Sequence, residues 1–100
     1  MKKLILVSDR MIVKEIDLEK RFSKKIGMKS TVRTLFKEFE NCDEVILDFK
    51  NVEFISRSFA QEYVFLRYHS KVKIIEKGMN EFIKGLLDVV EDDFKETCSS

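Results

Sequence analysis

Apolar residues along this chain fall into two kinds of pattern: short uninterrupted or alternating runs, and longer stretches in which they recur at helical spacing. Leu4 to Val7 is an unbroken apolar run. Met11-Ile12-Val13 starts a second run that alternates through Lys14, Glu15 and Ile16. With Ser8-Asp9-Arg10 as a tight turn between them, the pair predicts a β-hairpin. Residues 17–29 are charged, with Phe22 and Ile26 as isolated anchors and Gly27 as punctuation, and read as a loop with room for a short helix. Ser30 or Thr31 can cap the helix that follows, because a hydroxyl accepts a hydrogen bond from an otherwise unpaired first-turn amide. Val32, Leu35, Phe36 and Phe39 form that helix's apolar stripe, and Asn41 closes it.

Val45-Ile46-Leu47-Asp48-Phe49 predicts a short central strand, Lys50-Asn51 turns the chain, and Val52, Phe54 and Ile55 lead to Ser56. The next helix covers 57–69. Phe59, Ala60, Tyr63, Val64 and Arg67 share one face, while Phe65, Leu66 and Tyr68 lie off it. A helix apolar on more than one side is either deeply buried or partly offered to a partner. A strand over 72–76 follows. After Gly78 comes a strongly amphipathic helix carrying Met79, Phe82, Ile83, Leu86, Leu87 and Val90. The order is β-β-α-β-α-β-α, and strand 45–49, helix 57–69 and strand 72–76 make a parallel crossover unit. The expected fold class is α/β: a four-stranded mixed β-sheet with three helices mainly on one face. One domain over 1–94 and a frayed polar tail over 95–100 complete the expectation.

Composition narrows the function classes. A chain of 100 residues, 44% hydrophobic and 37% charged, fits one globular domain with one modest core. The net charge of +1 conceals an asymmetry: residues 1–37 carry eleven Lys/Arg against four Asp/Glu, and residues 38–100 carry eight against fourteen. Folding either interleaves these signs or leaves a charged docking face. Cys42 and Cys98 are too few for a disulfide framework. With one histidine and no C-x-x-C pair, no zinc site is expected. No apolar stretch approaches membrane-spanning length, so a cytoplasmic, membrane-free protein is expected.

Catalytic patterns are poorly served. No Gly-rich phosphate loop is present, and Glu91, Asp92 and Asp93 read as a solvated helix end rather than a cation site. His69 is the only histidine. Eleven residues of continuous helix separate it from Ser58, roughly 16 Å, too far for a nucleophile–base pair. We therefore expect no enzyme, no cofactor and no metal. Lys20, Arg21, Lys24, Lys25, Lys29 and Arg33 form a basic segment that supports an alternative role as a nucleic-acid accessory. Stacking aromatics are few there, which makes nucleic acid an unfavoured partner.

The stretch Val45-Ile46-Leu47-Asp48-Phe49-Lys50-Asn51-Val52-Glu53-Phe54-Ile55-Ser56-Arg57-Ser58-Phe59-Ala60-Gln61-Glu62 resembles the core of STAS domains, found in sulfate transporters and anti-sigma-factor antagonists. It is more similar still to a STAS-like family of unknown function, in which an apolar strand ending in Asp-Phe precedes a loop and a Ser-Phe-Ala-x-Glu helix start. The resemblance is strongest over 45–62 and extends over about 30–90. It implies a regulatory protein-interaction module that docks a kinase-type, ATP-binding partner through the loop and helix start at 51–62. In the antagonists a Ser or Thr at this junction is phosphorylated, which dissolves the complex; the matching hydroxyl is Ser58, with Ser56 beside it. The family's Asp-Ser-Ser/Thr-Gly pattern reads Ser56-Arg57-Ser58-Phe59 here.

Phe54, Arg57, Ser58, Phe59 and Glu62 are the candidate partner contacts; Phe54 and Phe59 are equally suited to the core, which is the favoured place for Phe59. A phosphate at Ser58 would add nearly two negative charges at a helix N-terminus, where free amides and the dipole tolerate an anion, and Arg57 could pair with it. Ser58-x-x-Gln61 also reads as a capping box, with Ser56 as the alternative cap. Homodimerisation is open through the apolar excess on helix 57–69 or through an edge strand.

Overall fold

The computed structural model describes residues 5–7 and 11–98, with side chains from Met11 to Glu96. Ten elements follow one another: β1 (Ile5–Val7), β2 (Met11–Asp17), α1 (Leu18–Arg21), β3 (Lys25–Ile26), α2 (Lys29–Phe39), β4 (Glu44–Asp48), β5 (Phe54–Ile55), α3 (Arg57–His69), β6 (Lys73–Lys77) and α4 (Glu81–Cys98). The chain is an α/β protein. Strands β1, β2, β4 and β6 hydrogen-bond in that order, β1 antiparallel to β2 and the other neighbours parallel. Strands β3 and β5 form a separate two-stranded parallel sheet.

The expectation of one sheet, three helices and a seven-element order is thus corrected. Two very short strands lie in segments read as loops, and the segment 17–29 holds the one-turn helix for which it had room. A two-residue strand is set by pairing, not by local pattern, so no periodicity could announce it. The first apolar run does pair with the second, and the turn expected at 8–10 lies outside the described residues. The last helix runs to Cys98, into the stretch 95–100 expected to be a frayed polar tail.

The sheet is asymmetric because side chains alternate across it. Lys14 and Ile16 on β2, Val45 and Leu47 on β4, and Ile74 and Glu76 on β6 are cross-strand partners on one face. That face continues into Phe49. Val45, Leu47 and Phe49 are fully buried there beneath Val32, Leu35 and Phe39 of α2, Phe59, Ala60, Tyr63 and Val64 of α3, and Ile83, Leu87 and Val90 of α4. On the opposite face Ile46 and Ile75 pair directly and are half-buried, and Lys77 reaches Glu15 across β4 at 3.0 Å. Burying a side chain such as Leu47 contributes about 1.5–3 kcal/mol, so the helix-facing side of the sheet dominates stability.

Capping sets the helix limits. Helix α2 starts one residue before the expected caps: Met28 is its cap and supplies only a carbonyl, bonded by Thr31 N–H at 3.1 Å, while Ser30 and Thr31 sit inside the first turn. It closes at Phe39, whose carbonyl accepts from Cys42 N–H at 2.9 Å. Asp17 caps α1 by accepting from Lys20 N–H at 3.1 Å. At the opposite end of the sheet Asp43 ties three strand starts together. It exchanges bonds with Ile12 (2.7 and 2.8 Å) and accepts from Lys73 N–H (3.0 Å).

Candidate functional site

The C-terminal edge of the parallel strands carries the most elaborate local structure, which is where ligands and partners of parallel α/β sheets gather. Strand β4 ends in Asp48, whose side chain accepts from the Lys50 N–H two residues on at 2.9 Å, a local turn that competes with continued strand. Val52 N–H then closes on the Phe49 carbonyl at 2.9 Å, with Asn51 at φ 73° supplying the left-handed residue the turn needs. The bond from Lys50 N–H holds the Asp48 carboxyl below its ordinary range. The charges of Lys50 and Lys77 assist, and burial opposes them in part. Gly78 passes directly over this turn at φ 78°, and a Cβ there would sit 2.7 Å from the Lys50 nitrogen.

The chain next forms β5 beside β3 and enters α3. Ser56 is the α3 cap: its Oγ accepts from Phe59 N–H at 3.0 Å and donates to the Gly27 carbonyl at 2.7 Å. Ser56 N–H also bonds the Ile26 carbonyl at 3.1 Å, and the Lys24 carbonyl accepts from Glu53 and Phe54 N–H. Of the two serines offered as caps, Ser56 takes the role. Ser58 is exposed on the first turn, and its hydroxyl makes no hydrogen bond among the described residues.

The candidate contacts separate by burial. Phe54 is 42% exposed and stacks on Phe82 of α4, itself 49% exposed, at 5.5 Å and 14° between rings. Arg57 is exposed and paired with Asp93 of α4 at 3.0 Å. Glu62 is tied to Arg33 of α2 at 3.0 Å. Phe59 is fully buried and stacks on Tyr63 at 6.1 Å. The expectation that Phe59 meets a partner is therefore corrected: its ring supports the junction from within the core. Ser58, Arg57 and Phe54 are the members of the set that face outward.

Sequence reasoning missed two contributors. Asn80 caps α4 through its Oδ1, which accepts from Ile83 N–H at 2.8 Å. Its Nδ2 holds the loop by donating to the Val52 and Glu53 carbonyls at 3.4 and 3.2 Å. An Asn immediately before Glu81 and an apolar-periodic stretch is the readable signal for that cap. The second contributor is a polar network beneath α3. Tyr63 Oη donates to Glu76 of β6, Arg67 donates to the same carboxylate at 2.7 Å, and Arg67 reaches Glu91 of α4 at 3.3 Å. Burial, reinforced by the adjacent Glu76 charge, pushes the Tyr63 hydroxyl well above its ordinary pKa.

His69 lies at the end of α3 against the rings of Phe65 and Tyr68, at 4.6 and 5.3 Å between centroids, eleven residues along the continuous helix from Ser58. Among the described residues no three His, Cys, Asp or Glu gather as metal ligands, and no helix is long and apolar enough to cross a membrane. In the basic segment the exposed Arg21 and Arg33 are paired with Glu38 and Glu62, and Lys20, Lys24, Lys25 and Lys29 are exposed without an ion pair among the described residues. Comparison of the chain with family models, with curated proteins and with solved structures gave no match.

Proposed function

We propose that the protein is a STAS-like interaction module that docks a protein partner through the junction of residues 51–62. The observation that supports the reading most is the division of labour between the two serines. Ser56 is consumed by capping α3 and by the bond to Gly27, so the hydroxyl of Ser58 is spare, exposed and sited on a helix first turn that contains no acidic side chain. A phosphate there would be tolerated by the helix and felt by whatever sits on it. The exposed, stacked Phe54–Phe82 pair supplies an apolar anchor at the β5 end of the junction, and Arg57 a charged one beside Ser58. A kinase-type, ATP-binding regulator is the partner the STAS resemblance implies.

The test is capture from the native host with the wild-type chain and with Ser58→Asp, followed by identification of what is bound and a binding titration of it. A nucleotide-binding regulator that is held by the wild type and released by Ser58→Asp is the expected result. Equal affinity for both proteins rules out the charge switch. For a nucleic-acid role through residues 20–33, with four exposed lysines left to contact phosphates, the corresponding expectation is no gel-shift complex at low salt.

A further inference from the structure

Strand β6 is the last of its sheet: β4 lies on one side of it and, among the described residues, no strand lies on the other. Lys73 N–H donates to the Asp43 carbonyl at 3.0 Å, and the Lys77 carbonyl accepts from Phe49 N–H at 2.8 Å. The backbone groups of residues 73, 75 and 77 therefore face β4. Because main-chain groups alternate in direction along a strand, those of Ile74 and Glu76 point away from the sheet. Their N–H and C=O groups have no hydrogen-bond partner among the described residues, and both residues are only half-buried. Helix α4 does not close over this edge. A cavity of about 420 Å³ separates the end of β6 from it, lined by Glu76, Lys77, Lys84, Leu87, Asp88 and Glu91.

Unpaired amides and carbonyls at strand spacing match one kind of occupant, another extended backbone. The side chains set its chemistry. Lys73, Ile75 and Lys77 share the face of the sheet turned away from the helices. In an antiparallel addition they take the non-hydrogen-bonded positions, where opposed side chains come closest. An acid opposite a lysine is attracted there and a second lysine is repelled. Lys73 is exposed and forms no ion pair among the described residues, not even with Glu44, its neighbour on β4. Lys77 is held by Glu15 at 3.0 Å, so an added acid would share it. A second copy fits less well: two-fold pairing of β6 with itself about Ile75 sets Lys73 against Lys77. We propose that the β6 edge takes up an acidic extended peptide as an added antiparallel strand, its acid-x-apolar-x-acid face opposite Lys77, Ile75 and Lys73. The intervening side chains enter the cavity beside α4. The proposal does not rest on the reading of the Ser58 junction.

The experiment titrates the full chain with a capped peptide whose core is Glu-Thr-Val-Thr-Glu, and follows amide NMR shifts and hydrogen exchange. The expected result is protection of the Ile74 and Glu76 amides on binding, with shifts centred on residues 72–78. Two control peptides are expected to bind about tenfold more weakly or worse: the same core N-methylated at both threonines, which cannot donate to the edge, and Lys-Thr-Val-Thr-Lys. Lys73→Glu, an exposed change checked for native fold by circular dichroism, is expected to weaken the acidic peptide by about three- to tenfold. Four results would each overturn the proposal: no shifts in β6 up to about 1 mM peptide, equal binding of the N-methylated peptide, equal binding of the lysine peptide, or unchanged affinity in Lys73→Glu. Protection of Ile74 and Glu76 that grows with protein concentration in the absence of peptide would reassign the edge to a second copy.

Discussion

Single residues carry distinct duties at the strand-to-helix junction, and substitutions should separate them. Ser56→Ala removes both the α3 cap and the bond to Gly27, and should cost about 1–2 kcal/mol in urea denaturation. Ser58→Ala removes an exposed hydroxyl with no partner among the described residues and should stay within about 0.5 kcal/mol of wild type. The glycines divide in the same way. A Cβ at Gly78 meets the Lys50 backbone at a left-handed φ, so Gly78→Ala should destabilise by about 1–3 kcal/mol. Gly85 lies within α4 with nothing within 4 Å of the added carbon, so Gly85→Ala should stabilise by about 0.5–1 kcal/mol, read as a raised thermal midpoint.

At the scale of elements, α3 is the hub. It is fastened to α2 by Arg33–Glu62, to α4 by Arg57–Asp93 and Arg67–Glu91, and to β6 by Tyr63 and Arg67 sharing Glu76. The exposed ion pairs contribute little each, about 0.2–1 kcal/mol, whereas the bonds to Glu76 are partly buried and shielded from water. Helix α3 has no acidic residue in its first turn and ends with Arg67 and His69, so its N-terminal partial charge is unanswered by its own side chains. Ser58→Asp should therefore hold or raise stability, by about 0.3–1 kcal/mol at low ionic strength. A Ser58→Asp chain that melts well below wild type would mean that loss of partner binding reflects damage to the fold rather than an added charge.

For the whole molecule, two groups with displaced pKa values contribute to stability at opposite ends of the pH range. The Asp48 carboxyl is held below its unfolded pKa, so its contribution is present above about pH 4 and is lost as pH falls through the folded value. Asp48→Asn keeps the acceptor for Lys50 N–H but not the charge. The gap between variant and wild-type unfolding midpoints should narrow between about pH 7 and about pH 3. Tyr63 is displaced the other way. Its folded pKa lies above the unfolded value near 10, so its contribution is intact below about pH 10 and disappears as pH rises further. Tyr63→Phe should flatten that alkaline decline in a thermal-melt series.

How legible this molecule is in its sequence depends on the range of the cause. The strands over 45–49 and 72–76, the helix over 57–69 and the apolar stripe Ile83–Leu87–Val90 declare themselves by period, because each buries one face against the same core. Strands β3 and β5 are two residues each and exist through backbone bonds across some thirty positions, so nothing local marks them. The outward set at the junction was readable in part. Residue type alone leaves Phe54 and Phe59 equivalent; the helical stripe favours the core for Phe59, and the structure leaves Phe54 42% exposed on Phe82 while Phe59 is fully buried against Tyr63. The Tyr63–Glu76–Arg67 network joins residues up to thirteen positions apart on separate elements, beyond the reach of spacing arguments.

The small β3–β5 sheet makes the orientation of α3 a property of a distant stretch of chain. Through Ile26 and Gly27 the residues after α1 grip Ser56 at both its amide and its hydroxyl. A protease nick or an insertion near Ser23 would leave the central β-sheet's own ladders intact, yet it would slacken the anchorage that sets which way Ser58 points. Events on that remote segment would be transmitted to the proposed docking junction as a change of aim.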